Sequence, residues 1–189
     1  MTRERRRWFL GIVGACICLL LCSGIVYGKS KSLKSLESLM KQADKHLQQG
    51  MQYGKEGNYA QSEAECTQAV IMMAKATERA IEDNLNKIAF YNDRAEIMAY
   101  VYFTRGLALY LQGDLYCAWR DFRNTSFEIG ELGIDLDDRV YIPPKFLDLR
   151  KQAKQWEQKA LDEIKRTGRE GREDCPPLLS NVFLKKNID

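Results

Sequence analysis

The chain has 189 residues, of which 45% are hydrophobic, 29% charged and 10% aromatic, with 4 prolines. That is one ordinary domain's worth of chain, and the composition excludes collagen-like, mucin-like and wholly disordered classes. The formal net charge of +3 is carried by Arg3, Arg5, Arg6 and Arg7 against Glu4, so the rest of the chain is balanced. A balanced body argues against a nucleic-acid binder, which needs a basic face to displace counterions. The single histidine excludes a multi-histidine metal centre and weighs against a histidine-based catalytic triad. No catalytic, cofactor-binding or metal-ligating constellation follows from the residues, and the chain is not expected to be an enzyme.

The elements begin with an address. Trp8 to Gly28 contains no charged residue. As a helix rising about 1.5 Å per residue it reaches across the roughly 30 Å hydrocarbon core of a bilayer. Trp8 and Tyr27 stand at its ends, where amphipathic rings favour the interface. Residues 1-28 are therefore expected to be a membrane anchor or signal segment, with residues 8-28 in the lipid bilayer. The arginines before the span narrowly outweigh Lys29, Lys31 and Lys34 after it. The excess favours a cytoplasmic N-terminus and an extracytoplasmic body. Two alternatives stand beside a single-pass anchor. One is cleavage near Val26-Tyr27-Gly28, leaving a secreted or periplasmic protein, and the other is lipidation at Cys22.

Residues 29-167 read as all-α. Leu33, Leu36, Met40, Ala43 and Leu47 step by three and four, the spacing of one helix face. The stepping resumes from Tyr59 to Ala80, Ile88 to Leu109, Leu115 to Ile129 and Phe146 to Ile164. Breaks fall at Gly54 to Asn58, near Asp83-Asn84, at Gln112-Gly113-Asp114 and between Gly133 and Pro144. About five helices are expected, with no strand. Residues 168-189 read as a flexible tail, whose apolar cluster of Leu178, Leu179, Val182, Phe183 and Leu184 either docks back on the body or binds a partner.

Cys66 and Cys117 fall at helical positions and read as small buried apolar residues. Cys175, in the tail, reads as free, and no disulfide-stapled fold is expected. His46 reads as a structural histidine. Asp135, Asp137 and Asp138 lack the glycine and distal glutamate of a calcium loop and read as a solvated loop.

Two stretches align with each other. Gly57-Asn58-Tyr59 matches Gly113-Asp114-Leu115, and each has a glycine seven residues before it, Gly50 and Gly106. Tyr53 matches Leu109, Ser62 matches Ala118, and Cys66 matches Phe122. With Tyr102 preceding the second copy, this pattern of aromatic, small, large, turn, small and aromatic residues resembles the tetratricopeptide-repeat family. The resemblance covers about residues 43–76 and 99–132. It implies helical hairpins in which Gly106 and Ala118 allow close approach while Tyr102 and Phe122 fill the space beside them. The repeat-packing residues are then Gly50, Tyr53, Gly57, Tyr59, Ser62, Cys66, Tyr102, Gly106, Leu109, Gly113, Ala118 and Phe122. The turns lie 56 residues apart, against a usual spacing of about 34. The extra residues, 77–98, are expected to lengthen the flanking helices or to add one. The helix from Pro144 is expected to cap the stack, with Trp156 over its open end.

The resemblance implies protein–protein work on the face of the first helix of each pair. A membrane-tethered, extracytoplasmic adaptor or scaffold of an envelope complex is the function expected, with an unidentified protein partner. Tyr53, Tyr100, Arg105 and Tyr110 are the candidate partner-binding residues. The alternative is a periplasmic accessory protein that holds a small molecule or lipid for a transporter. An enclosed cavity would favour the alternative, and an open groove the adaptor.

Overall fold

The computed structural model describes residues 33–83, 87–131, 142–168 and 174–179. The chain divides into two compact units, Met1–Glu37 and Ser38–Asp189. Only residues 33–37 of the first are described, and they are helical. The expected membrane segment, its three cysteines, the acidic loop at Asp135 and Val182 to Leu184 lie outside the described residues. No helix among the described residues is long and apolar enough to cross a membrane.

Five helices and no strand are present among the described residues: α1 (33–55), α2 (Tyr59–Glu82), α3 (Lys87–Leu111), α4 (Leu115–Glu131) and α5 (Pro144–Thr167). The insertion between the aligned stretches is divided between the end of α2 and the start of α3. Both helices thus grow, and no separate helix is added.

The α1–α2 and α3–α4 turns are built bond for bond alike. At the first, Gly57 N–H donates to Gly54 O and Asn58 N–H to Tyr53 O. At the second, Gly113 N–H donates to Tyr110 O and Asp114 N–H to Leu109 O. These two bonds together are the Schellman arrangement, which needs a left-handed residue after the helix. Gly57 (φ 78°) and Gly113 (φ 87°) supply it without a Cβ penalty. The next residue opens the following helix: Asn58 O accepts from Ser62 N–H, and Asp114 O from Ala118 N–H. The Asn58 side chain also accepts from Gln61 N–H, capping α2. α5 starts differently, on Pro144, whose fixed φ suits the first helical turn. It ends on left-handed Gly168, with Lys165 and Arg166 beside the negative end of the helix dipole.

Within each hairpin a glycine sets the approach. A Cβ on Gly50 would lie 2.7 Å from Cys66 Sγ, and one on Gly106 would lie 2.9 Å from the Phe122 ring. Gly50 O also accepts a 2.8 Å bond from the buried Ser62 hydroxyl. The nearest neighbour of Gly106 is thus Phe122, the residue aligned with Cys66. Ala118 is fully buried in the same cluster with Leu109 and Phe122.

α3 is the central helix, packed against α2 on one side and α4 on the other. Ala95, Met98, Ala99, Val101, Tyr102, Ala108 and Leu109 are buried around its circumference, as a helix covered on more than one side requires. α5 packs on α4, where Phe146 and Leu149 join Ala95, Ala99 and Ile129 in one cluster. Trp156 stacks on Phe122 at 6.0 Å and meets Tyr110 edge-on at 5.2 Å. Across the helices, Arg94 pairs with Glu128 at 3.1 Å and Lys145 with Glu96 at 2.7 Å. His46 Nδ1 lies 2.6 Å from Glu65 Oε2 and links α1 to α2.

The cysteines correct the sequence reading. Cys117 and Cys175 form a disulfide, with Cα atoms 5.4 Å apart and a sequence separation of 58. Cys117 is therefore no simple buried apolar residue, and Cys175 is not free. Closing a loop of that length constrains the unfolded chain by up to about 4 kcal/mol in the chain-entropy account. Residues 174–179, within the stretch expected to be a flexible tail, are docked on the helices, which for Leu179 is the first of the two alternatives given for the apolar cluster. Cys66 alone among the described cysteines is free and buried. Burial pushes its thiol up to about 12, against the opposing pull of Arg105, so it stays protonated and inert.

Candidate partner-binding site

Two cavities run along one side of the helices. The first, about 480 Å³, is lined from α1 (Met51, Lys55), from the start of α2 (Tyr59, Ser62), from α3 (Tyr100, Phe103, Leu107, Leu111) and from α5 (Lys145, Asp148, Leu149). The second, about 640 Å³, lies between α1 (Met40, Asp44, Leu47) and α3 (Asp93, Glu96, Ile97). Met51 and Tyr100 line both, so the two form one groove, mainly on α1, α3 and α5 and including the start of α2. The spacing explains its lining. Tyr100, Phe103, Leu107 and Leu111 step by three and four along α3, and Phe103 also meets the Phe122 ring of α4 at 5.9 Å. The groove is open, and Leu111 is 52% exposed within it. Its aromatic and aliphatic floor is edged by charge. Glu96 holds Lys145 at 2.7 Å and raises the lysine's affinity for its proton above the ordinary.

Of the four candidate partner-binding residues, Tyr100 alone lines this groove. Tyr53 is half-buried at the end of α1, where its carbonyl accepts the turn bond from Asn58. Tyr110 faces α5 instead: its hydroxyl donates to Glu163, and its ring meets Trp156 and the Lys159 ammonium. Burial and the Glu163 bond push its hydroxyl up to about 12.

Arg105 requires the larger correction. It is not an exposed groove residue but fully buried. Its Nε donates to Asp121 Oδ2 at 2.7 Å and its Nη2 to Asp121 Oδ1 at 3.1 Å, a two-pronged pair between α3 and α4 with both side chains at 0% exposure. Burial works against the guanidinium charge, but Asp121 outweighs it and the pKa lies above its ordinary value. Nη1 also reaches Thr67 Oγ1 on α2 at 3.3 Å.

Arg105 and its neighbours form a second surface, a cleft filled by residues 174–179. Nη1 and Nη2 of Arg105 each donate to Pro177 O at 3.1 Å. Arg120 Nη2 donates to Pro176 O. Leu179 N–H donates to Tyr102 Oη at 2.8 Å, and Leu179 itself is 3% exposed. Burial raises the Tyr102 hydroxyl above its ordinary range, so it remains a neutral acceptor. The sequence reading found Tyr102 as a packing residue but missed this cleft. The signal for it was the combination of the charge-free stretch Trp8 to Gly28, expected to direct export, with body cysteines, because exported compartments permit disulfides.

Among the described residues no group of three or more His, Cys, Asp or Glu side chains is placed to hold a metal ion. Comparison of the chain with protein-family models, curated proteins and solved structures found no match.

Proposed function

We propose that this protein is a membrane-tethered, extracytoplasmic adaptor of the tetratricopeptide-like kind, which holds a segment of a partner protein in the groove on α1, α3 and α5. The observation that carries the reading is the groove itself. It is open, apolar along its floor, and lined mostly by the first helix of each hairpin and by α5, with the start of α2. An open groove along helix faces suits a peptide or helix better than a small molecule, which is usually engulfed in a concave pocket. The two identical Schellman turns and the two glycine contacts support a repeat origin for the hairpins. The charge-free segment from Trp8 to Gly28 supports tethering. The Cys117–Cys175 disulfide supports an oxidising compartment for the body, where an envelope complex would be assembled.

The test is a crosslinked pull-down from membranes with a C-terminal tag, comparing the natural chain with Leu111→Glu and Tyr100→Ala. Both changes lie in the groove. Leu111→Glu, at a half-exposed position, is expected to shift stability by no more than about 0.5 kcal/mol. A discrete envelope protein captured by the natural chain and lost with Leu111→Glu is the expected result. A chain that is captured alone, or that holds its partner equally well as Leu111→Glu, would overturn the reading. A lipid or small molecule extracted with the lone chain would favour the accessory-protein alternative.

A further inference from the structure

The filled cleft behind Arg105 has features of a site for an extended peptide. Residues 174–179 read Asp-Cys-Pro-Pro-Leu-Leu. Apart from the Cys175 sulfur and the buried Leu179 side chain, the bonds they make come from backbone: Pro176 O, Pro177 O and Leu179 N–H. Two prolines hold φ near the polyproline value, so little chain entropy is lost when the segment seats. Backbone contacts of this kind accept any extended segment that keeps the register. The leucine pocket, two residues past the second proline, supplies the selectivity.

The walls are complete without the segment. Asp121 holds Arg105 by two prongs, and Thr67 braces Nη1 from α2. Undocking the segment leaves this framework in place but removes Pro177 O from two guanidinium donors. Buried donors without acceptors are costly, so an emptied cleft favours a new carbonyl. The latch is reachable: Cys117 is buried on α4, whereas Cys175 is half-exposed.

We propose that the cleft is a second peptide-binding site, held closed by the chain's own tail under a redox latch. Its ligand is an extended proline-containing segment of a partner protein, with a leucine two positions after the second proline. The latch is opened by a dithiol reductant. A thiolate of the dithiol attacks Cys175 Sγ, the Cys117–Cys175 bond breaks, and Cys117 leaves as a thiolate that takes up a proton. The second thiol of the dithiol then attacks its own sulfur in the mixed disulfide and releases Cys175, which is protonated in turn. The dithiol loses two electrons and two protons to become a disulfide, and the two cysteines gain them. This inference does not depend on the groove of α1, α3 and α5.

The test uses the full chain in detergent micelles. The probe is a fluorescent peptide spanning Asp174 to Asn181 with Cys175→Ser, and its control carries Leu179→Asp in addition. The receiver is the chain bearing Cys175→Ser and Leu179→Asp, whose own tail cannot seat and so does not compete at high effective concentration. The probe is expected to bind this receiver at least tenfold more tightly than the control peptide does, and not to bind the oxidised natural chain. Tyr102→Phe in the receiver, which removes only the acceptor oxygen, is expected to weaken the probe severalfold. In parallel, reduction of the natural chain is expected to release the Leu179 amide to hydrogen exchange while the amides of α3 and α4 stay protected. Equal binding of probe and control overturns the proposal. So does a Leu179 amide that stays protected after reduction, or loss of helical circular dichroism on reduction, because the disulfide is then a structural staple.

Discussion

Gly106 of α3 lies beneath the ring of Phe122 of α4: a Cβ added there would meet Cε1 at 2.9 Å and Cδ1 at 3.0 Å. The ring is fully buried and stacked on Trp156, so it has nowhere to retreat. Gly106→Ala gains about 1 kcal/mol of helix propensity. It loses about 1–3 kcal/mol to overpacking. The expected outcome is a net loss of about 1 kcal/mol in urea unfolding. Gly130, with nothing within 4 Å of an added Cβ, is the control. Gly130→Ala is expected to stabilise by about 0.5–1 kcal/mol. A stabilised Gly106→Ala would show that α3 and α4 are not in this close contact.

The Arg105–Asp121 pair is buried on both sides. Removing one partner strands a buried charge. Asp121→Ala is therefore expected to cost about 3–5 kcal/mol. Arg105→Met with Asp121→Leu removes both fully buried charges and leaves only Arg120, 3.7 Å from Asp121 and partly exposed, without that partner, so it is expected to recover most of that loss. Urea midpoints of the two variants decide the matter. If the double variant were as unstable as Asp121→Ala, stranded charge would not be the cause.

Cys66 carries a pH dependence of definite sign. Its ordinary value of 9.0 describes the unfolded chain, and burial raises the folded value to about 12. Below pH 9 the thiol is protonated in both states, and its contribution to stability is fully present. Between pH 9 and 12 the unfolded chain loses the proton while the folded chain keeps it, so stability falls as pH rises. Tyr110 adds a smaller effect of the same sign, from 10.0 to about 12, at a more exposed position. Cys66→Ala is expected to be less stable at pH 7, through the lost packing, and to decline less steeply above pH 9. Identical slopes for the two chains between pH 9 and 11 would show that the thiol is not held protonated by the fold.

Ala118 shares its buried cluster with Leu109 and Phe122. Ala118→Trp puts an indole where α3 and α4 already touch. Loss of cooperative thermal unfolding is expected, and binding in the groove should be lost with it. A variant that unfolds like the natural chain would remove the register that aligns Gly113 and Ala118 with Gly57 and Ser62.

The helices themselves were legible. Steps of three and four mark buried faces because only those positions meet a neighbour on a helix turning every 3.6 residues. Gly57 and Gly113 marked the hairpin turns because few other residues reach a positive φ without strain. The groove was legible only in part. Tyr100 was found, but Phe103, Leu107 and Leu111 were not distinguished from core, since an apolar stripe on a central helix looks the same whether it meets a helix or an opening.

Arg105 shows the opposite failure. Arginine is rarely buried unless paired, and its partner Asp121 is 16 residues away on another helix. Nothing local distinguishes that arginine from one at the surface. Cys175 is similar, because its place in a polar, proline-containing stretch says nothing of Cys117, 58 residues earlier.

What the residues determine by themselves is therefore what depends on neighbours along the chain: the charge-free stretch at the start, the helical periods, the glycine turns and the equivalence of the two hairpins. What only the tertiary structure decides is which faces meet across long separations. That includes the open groove, the buried ion pair and the latched tail, because each depends on contacts whose energy exists only once α2, α3, α4 and α5 are in place.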